Sequence, residues 1–334
     1  MRAIEVRDSS QVAEARRWAV TVARDNGFGE EDAGRVAIVA SELATNLVKH
    51  GGGGELLVGS FDDRTGTGVE CLALDKGQGM ADIAASMRDG HSTAGSPGNG
   101  LGAVRRGSHF SDIYSAPGAG TAILARLRIG HPDRTAGDGI PDYGAVCVPM
   151  PGEEACGDAW CRHDIPDGVA VMVADGLGHG PSAAEAAHAA VRCFITAGDD
   201  PPTTTLTAMH AALRPTRGAA VAIARIDRAA GEITYAGVGN IAGTIIDADG
   251  SVRRMVSNNG TIGHNARRIR DFAYPLGHDP LVILASDGLG TSWRLDSYPG
   301  LAARHPTLIA AILYRDFARR RDDVTVLVAR GGRA

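Results

Sequence analysis

The chain has 334 residues, 44% of them hydrophobic and 4% aromatic, with a formal net charge of -5. At roughly 150 residues per domain this length predicts two domains, and the mildly acidic balance excludes the basic footprint of a nucleic-acid-binding protein. No apolar run approaches the ~20 residues that span a bilayer, and the N-terminus lacks a signal-peptide core, so no membrane partner is expected. The five cysteines, Cys71, Cys147, Cys156, Cys161 and Cys193, are odd in number and irregularly spaced. That pattern fits a reducing compartment and predicts a cytoplasmic protein.

Gln11 to Asn26 carries Val12, Ala15, Ala19 and Val22 on one stripe and reads as an amphipathic helix. Glu30 to His50 reads as a second, with Val36, Val39, Leu43 and Leu47 as its apolar positions. Leu56 to Phe61, Val69 to Leu74, Asp112 to Ser115 and Thr121 to Leu127 read as strands. Helices on one face of a largely antiparallel sheet is the economical packing for this set. Glu42 and Asn46 lie four apart, hence on one helix face. They suit a proton acceptor and a Mg2+ ligand, or equally a solvated polar face. Asp75-Lys-Gly77-Gln-Gly79 follows a strand, and Gly98-Asn-Gly100-Leu-Gly102 precedes an apolar helix. Glycine turns at a helix start offer free N–H groups to phosphates.

Taken in order, Glu42-x-x-x-Asn46, Asp75-x-Gly77-x-Gly79, Gly98-x-Gly100-x-Gly102 and Gly120-Thr121 resemble the GHKL ATPase fold, over residues 1–130. The stretch Met87 to Gly95 is most similar to the anti-sigma and stressosome switch serine kinases of the RsbW/RsbT type. The resemblance implies that Asp75 hydrogen-bonds the adenine amino group and that Asn46 holds Mg2+. Gly77, Gly79, Gly98, Gly100, Gly102 and Thr121 would cradle ATP beneath a lid from about Ala84 to Gly100. Glu42 would be the general base toward a substrate serine. The sequence has neither a Walker-type Gly-Lys-Ser/Thr nor a protein-kinase His-Arg-Asp.

Residues 131–141, from His131 to Pro141, are polar, rich in Pro and Gly and without periodicity, and read as a linker. Beyond them the apolar run Val169 to Ala174 ends in Asp175-Gly176-Leu177-Gly178-His179-Gly180. Leu281 to Ser286 likewise runs into Asp287-Gly288, and Asp322-Asp323 opens Val324 to Ala329. Acidic tips on several strands suit hard, oxygen-loving cations such as Mg2+ or Mn2+. Asp-Gly is also the commonest hairpin turn signal, and Asp249-Gly250, between Thr244 to Ile246 and Val252, reads as a plain hairpin. His179 reads as a phosphate-orienting group or as a turn histidine with a satisfied ring. Cys156, Cys161 and His163 lack the pairing and the fourth ligand of a zinc site.

Cys156-Gly157-Asp158-Ala159-Trp160, Asp175 to Gly180, Ser286 to Leu289 and Asp322 to Thr325 resemble the metal-dependent serine/threonine protein phosphatases of the SpoIIE/RsbX type, over roughly residues 142–330. Gly237-Val238-Gly239-Asn240-Ile241 also matches that family, and reads equally as a glycine-rich turn. The resemblance implies that Asp158, Asp175 and the Gly176 carbonyl hold one Mn2+ or Mg2+ ion. Asp175, Asp287 and Asp322 would hold a second. Cys156 departs from the family, which usually has a glycine there.

The expected architecture is an α+β two-domain chain. A GHKL (Bergerat) α/β sandwich over residues 1–130 is followed, after the linker at 131–141, by a phosphatase-type α-β-β-α sandwich over 142–331. The expected function is bifunctional: ATP-dependent phosphorylation, and dephosphorylation, of serine or threonine on a STAS-domain partner in a sigma-factor or stressosome-like pathway. Alternatives are a phosphatase whose N-terminal domain only senses ATP, or a domain that sequesters a sigma factor or STAS protein without catalysis.

Overall fold

The computed structural model describes residues 1–63, 66–83, 100–130 and 142–332. The expected linker, Gly98 and the expected lid up to residue 99 lie outside the described residues. Two compact units divide the chain: Met1–Pro141 with Ala303–Arg315, and Asp142–Ala302 with Asp316–Ala334.

In the first unit, β1 (Arg2–Val6), α1 (Ser9–Asp25), α2 (Glu30–Lys49), β2 (Gly54–Asp63), β3 (Gly66–Leu74), α3 (Gly100–Gly107), β4 (Phe110–Ser115) and β5 (Thr121–Arg128) follow in order. The sheet runs β1-β2-β3-β5-β4 and its pairings are antiparallel. Asp8 caps α1 by accepting from Ser10 N at 2.8 Å, while Gln11 reaches back to the Asp8 N–H in a capping box. Glu30, Glu31 and Asp32 occupy the first turn of α2 and Lys49 its last, matching charge to the helix dipole. Ala15, Ala19 and Val22 of α1 and Val36, Val39, Leu43 and Leu47 of α2 bury their stripe against Leu56, Val58, Val69, Cys71, Ile123 and Ala125 of the sheet. Both helices and the four strands expected from periodicity are present. β1 was not expected, because five residues with two charges among them carry no usable pattern.

In the second unit, β6 (Tyr143–Val148), β7 (Asp158–Ile165), β8 (Gly168–Gly176), α4 (Pro181–Ala197), α5 (Pro202–Ala212), β9 (Ala219–Asp227), β10 (Glu232–Val238), β11 (Ala242–Ile246), β12 (Val252–Met255), β13 (Phe272–Pro275), β14 (Leu281–Ala285) and β15 (Val324–Arg330) build two sheets. Their orders are β13-β10-β9-β8-β7 and β12-β11-β14-β15-β6. Val171 and Val173 of β8 meet Val282, Leu284, Leu327 and Ala329 in one core. Ala170, Met172 and Ala174 point the other way, onto Phe194, Leu206 and Met209 of α4 and α5. Burial on both faces is why Val169 to Ala174 is apolar without alternation. The Asp249-Gly250 turn joins β11 to β12 as an ordinary hairpin. Among the described residues no helix is long and apolar enough to cross a membrane.

Helix α6 (Pro306–Phe317) lies in sequence between β14 and β15, yet all of it up to Arg315 counts with the first unit. Its polar anchors there are specific. Arg126 of β5 donates to Thr307 Oγ1 at 3.0 Å, and Asp112 of β4 accepts from Arg304 at 3.2 Å and from the His305 N–H at 2.9 Å. Arg126 also pairs with Asp63 at 2.8 Å and Glu70 at 2.8 Å, all three side chains being at most 6% exposed. Burial raises the Glu70 carboxyl despite the guanidinium beside it. Breaking such a pair from one side leaves a buried charge uncompensated. Arg126→Met is therefore expected to lower stability by about 3–5 kcal/mol in urea unfolding, and Arg126→Met with Glu70→Leu to recover part of that loss; equal stability of the single variant and the wild type would show the network to be inert.

Candidate functional site

In the first unit the polar groups meet where α2, the end of β3 and the start of α3 converge. A Cβ built on Gly100 would lie 3.0 Å from Asn46 Oδ1 and 3.5 Å from Glu42 Oε2, so the start of α3 sits against both side chains. The Asn46 Nδ2 group is buried and has no hydrogen-bond partner. Glu42 and Asn46 thus lie half-buried on the face of α2 that meets Gly100 at the start of α3. Asp75, one residue past β3, accepts from Gly77 N at 2.8 Å and Thr121 N at 3.1 Å. Both bonds fall on Oδ1, leaving Oδ2 to accept from another donor. Burial raises this carboxyl, opposed by those two N–H groups. Arg315 donates to the Asp75 carbonyl at 2.9 Å, fixing the turn from behind. At Gly79, with φ of 66°, a side chain would collide with the Ala116 carbonyl, so only glycine fits. Gly102 is buried within α3.

In the second unit the acidic tips gather at one end of both sheets. Asp158 and Asp175 are direct partners on the antiparallel pair β7–β8. Asp175 is pushed up to about 7, first by burial and then by the negative charges of Asp287, Asp322 and Asp323. Asp158 is raised well above the usual carboxylate range, first by burial and then by Asp175. Ser286 donates to Asp158 Oδ2 at 2.6 Å, and Asn240 donates to Asp287 Oδ2 at 2.7 Å. At Gly176 a Cβ would overlap the Ala183 carbonyl, so the backbone must stay bare there.

The chemistry of the donors suits hard cations: four neighbouring carboxylates, Asp158, Asp175, Asp287 and Asp322, and a strand-end carbonyl, with repulsion that a divalent charge relieves. Among the described residues no group of three or more His, Cys, Asp or Glu side chains is placed as it stands to hold a metal ion. Asp158 is turned to Ser286, and Asp323 spends both oxygens on the backbone, accepting from Met150 N and Gly157 N at 2.8 Å each. Asp323 therefore anchors the β6–β7 loop, a role the Asp322-Asp323 doublet did not reveal. Ser286 and Asn240 were likewise unassigned, although both lie in segments flagged by their motifs.

His179 Nδ1 lies 2.7 Å from Glu153 Oε1, so one ring nitrogen is held on a side chain that is otherwise exposed. Cys156, Cys161 and His163 do not converge: Cys156 faces Cys147, Cys161 donates to its neighbour's carbonyl, and His163 pairs with Asp199. None of the five cysteines is in a disulfide.

Residues 6–126 match the histidine kinase-like ATPase domain, and residues 165–331, half of the chain, match Stage II sporulation protein E (SpoIIE). The serine/threonine-protein kinase RsbT of Bacillus subtilis (strain 168) is 37% identical over 114 residues, which are 34% of this chain and 86% of RsbT. A solved chain described as "The bacterial stressosome: a modular system that has been adapted to control secondary messenger signaling" is 30% identical, with a TM-score of 0.53 over 56% of this chain and 98% of its own. RsbX in complex with magnesium is 19% identical, with a TM-score of 0.48 over 56% of this chain and 92% of its own. The chain belongs to the SpoIIE family, its phosphatase-type domain preceded by a GHKL-like ATPase domain related to RsbT.

Proposed function

We propose that this chain is a bifunctional signalling protein that adds phosphate to, and removes it from, serine or threonine on a STAS-domain partner. Its likeness to RsbT and to a stressosome chain supports a partner-switching setting. The observation that carries the phosphatase half is the Asp158–Asp175 rung, whose two carboxyls are both raised by burial and by neighbouring charge. Asp158, Asp175 and the Gly176 carbonyl would hold one Mn2+ or Mg2+, and Asp175, Asp287 and Asp322 would hold the other. Such ions, when bound, activate water and neutralise the phosphoryl oxygens. Asn240 and Ser286 orient the Asp287 and Asp158 carboxylates through their hydrogen bonds.

For the kinase half, Asp75 Oδ2 accepts from the adenine amino group while Gly77 and Thr121 hold Oδ1 in place. Asn46 would supply its Oδ1 to Mg2+, while its buried Nδ2 group, a donor without a partner, suits an acceptor oxygen such as a phosphate. Glu42, beside Gly100 at the start of α3, takes the hydroxyl proton as the substrate oxygen bonds to the γ-phosphorus and ADP leaves. Phosphoryl transfer requires mainly positioning and charge neutralisation, within reach of a small domain.

Glu42→Gln keeps the shape and removes the proton acceptor, so ATP affinity by calorimetry should hold while transfer to a STAS protein falls about 10²–10⁴-fold. Unchanged transfer would remove Glu42 from the reaction, and no transfer by the wild type across a panel of STAS proteins would favour an ATP sensor. Asp175→Asn should abolish release of phosphate from a phosphoserine protein at any Mn2+ concentration, whereas Asp322→Asn should recover partly at high Mn2+. Full wild-type activity in EDTA would refute the two-cation reading.

A further inference from the structure

Cys147 and Cys156 face each other across the base of the β6–β7 loop with their sulfurs 3.5 Å apart. They arrive there from different elements. Cys147 is on β6, paired with Thr325 of β15, and Cys156 ends the loop just before Gly157 and Asp158. Among the described residues this is the one pair of thiols in contact. We propose that Cys147 and Cys156 form a reversible disulfide that weakens cation binding at the adjoining carboxylate cluster, the second half of this statement resting on the phosphatase reading above.

A disulfide needs a sulfur separation of about 2.05 Å, so the thiols must close by about 1.5 Å. Cys147 sits in a ladder with a partner strand on one side, whereas Cys156 lies in a loop, so most of the movement falls on Cys156. The neighbouring Gly157 cannot absorb it. Its N–H is held by Asp323 at 2.8 Å, its carbonyl accepts from Gly176 N at 3.0 Å, and a Cβ built on it would crowd Asp323 Oδ2 and the Ala183 methyl, so there is little room around it. The displacement therefore passes to Asp158 and toward Gly176, two of the oxygen sources for the first cation. Ligand distances tolerate only about 0.2 Å of error.

The chemistry balances with a peroxide as oxidant. One thiolate attacks hydrogen peroxide, the O–O bond breaks, and a sulfenic acid forms with hydroxide, which takes up the proton the thiol had released and leaves as water. The second thiol attacks that sulfur, the S–S bond forms, and a second water leaves. A dithiol reverses the step by thiol–disulfide exchange.

The test uses the full chain, reduced or treated with hydrogen peroxide, with free thiols alkylated before digestion and mass spectrometry. A linked pair of peptides containing Cys147 and Cys156, two hydrogens lighter than their sum and lost on dithiothreitol treatment, is expected. Calorimetric titration with Mn2+ should show affinity about 10–100-fold lower in the oxidised protein, the range for disturbed support of metal ligands. Cys147→Ser and Cys156→Gly should each bind Mn2+ as the reduced wild type does and not respond to peroxide. No linked peptide under peroxide, or a linked protein with unchanged Mn2+ affinity, would overturn the proposal. If the reduced wild type takes up no Mn2+, the two-cation reading and the proposed effect on it both fall, while the peptide assay still decides the disulfide.

Discussion

Asp158 and Asp175 stand opposite each other on adjacent antiparallel strands, and the ladder gives neither a way to retreat. Their charges repel, burial makes each harder to ionise, and Asp287 and Asp322 add to the field from neighbouring strand ends. Everything around them serves to keep that arrangement in place. Valines and leucines buried between the sheets fix the register, and a one-residue slip would turn the acidic tips to the other face. Asp323 ties the β6–β7 loop by two backbone N–H groups, and Ser286 holds the Asp158 carboxylate from the next sheet. Like charges held together in this way are what the proposed cations would neutralise.

The first unit solves a related problem with other means. Its helices bury an apolar stripe and leave Glu42 and Asn46 on the side that meets the glycine turn at the start of α3. Asp75 is held by two N–H groups on one oxygen, so its second oxygen has a defined direction. The segment Ala303–Arg315 adds rigidity from outside the first 141 residues, through Arg126, Asp112 and the Asp75 carbonyl.

Legibility in the sequence followed the physics of each element. Helices α1 and α2 were readable because one stripe is buried and the other solvated. Strand β8 was readable because both of its faces are covered. Strand β7 was not, since Arg162, His163 and Asp164 make its far half polar and it lies at a sheet edge. Motif spacing located Asp175, Asp287 and Asp322, which sit at strand ends where chain order and space coincide. It gave no role to Asp323, because which backbone groups a strand-start carboxylate will hold depends on a loop distant in sequence. Nor could it foresee that the segment before β15 joins the first unit, or that Cys147 meets Cys156, since both depend on long-range packing.

The central claim is that the acidic strand ends of the second unit hold two divalent cations sharing Asp175. Anomalous diffraction at the manganese edge from crystals of the whole chain grown with Mn2+ tests it most directly. The account predicts two peaks, with Asp175 touching both, Asp158 and the Gly176 carbonyl touching one, and Asp287 and Asp322 touching the other. A single peak, or peaks remote from Asp175, would contradict it.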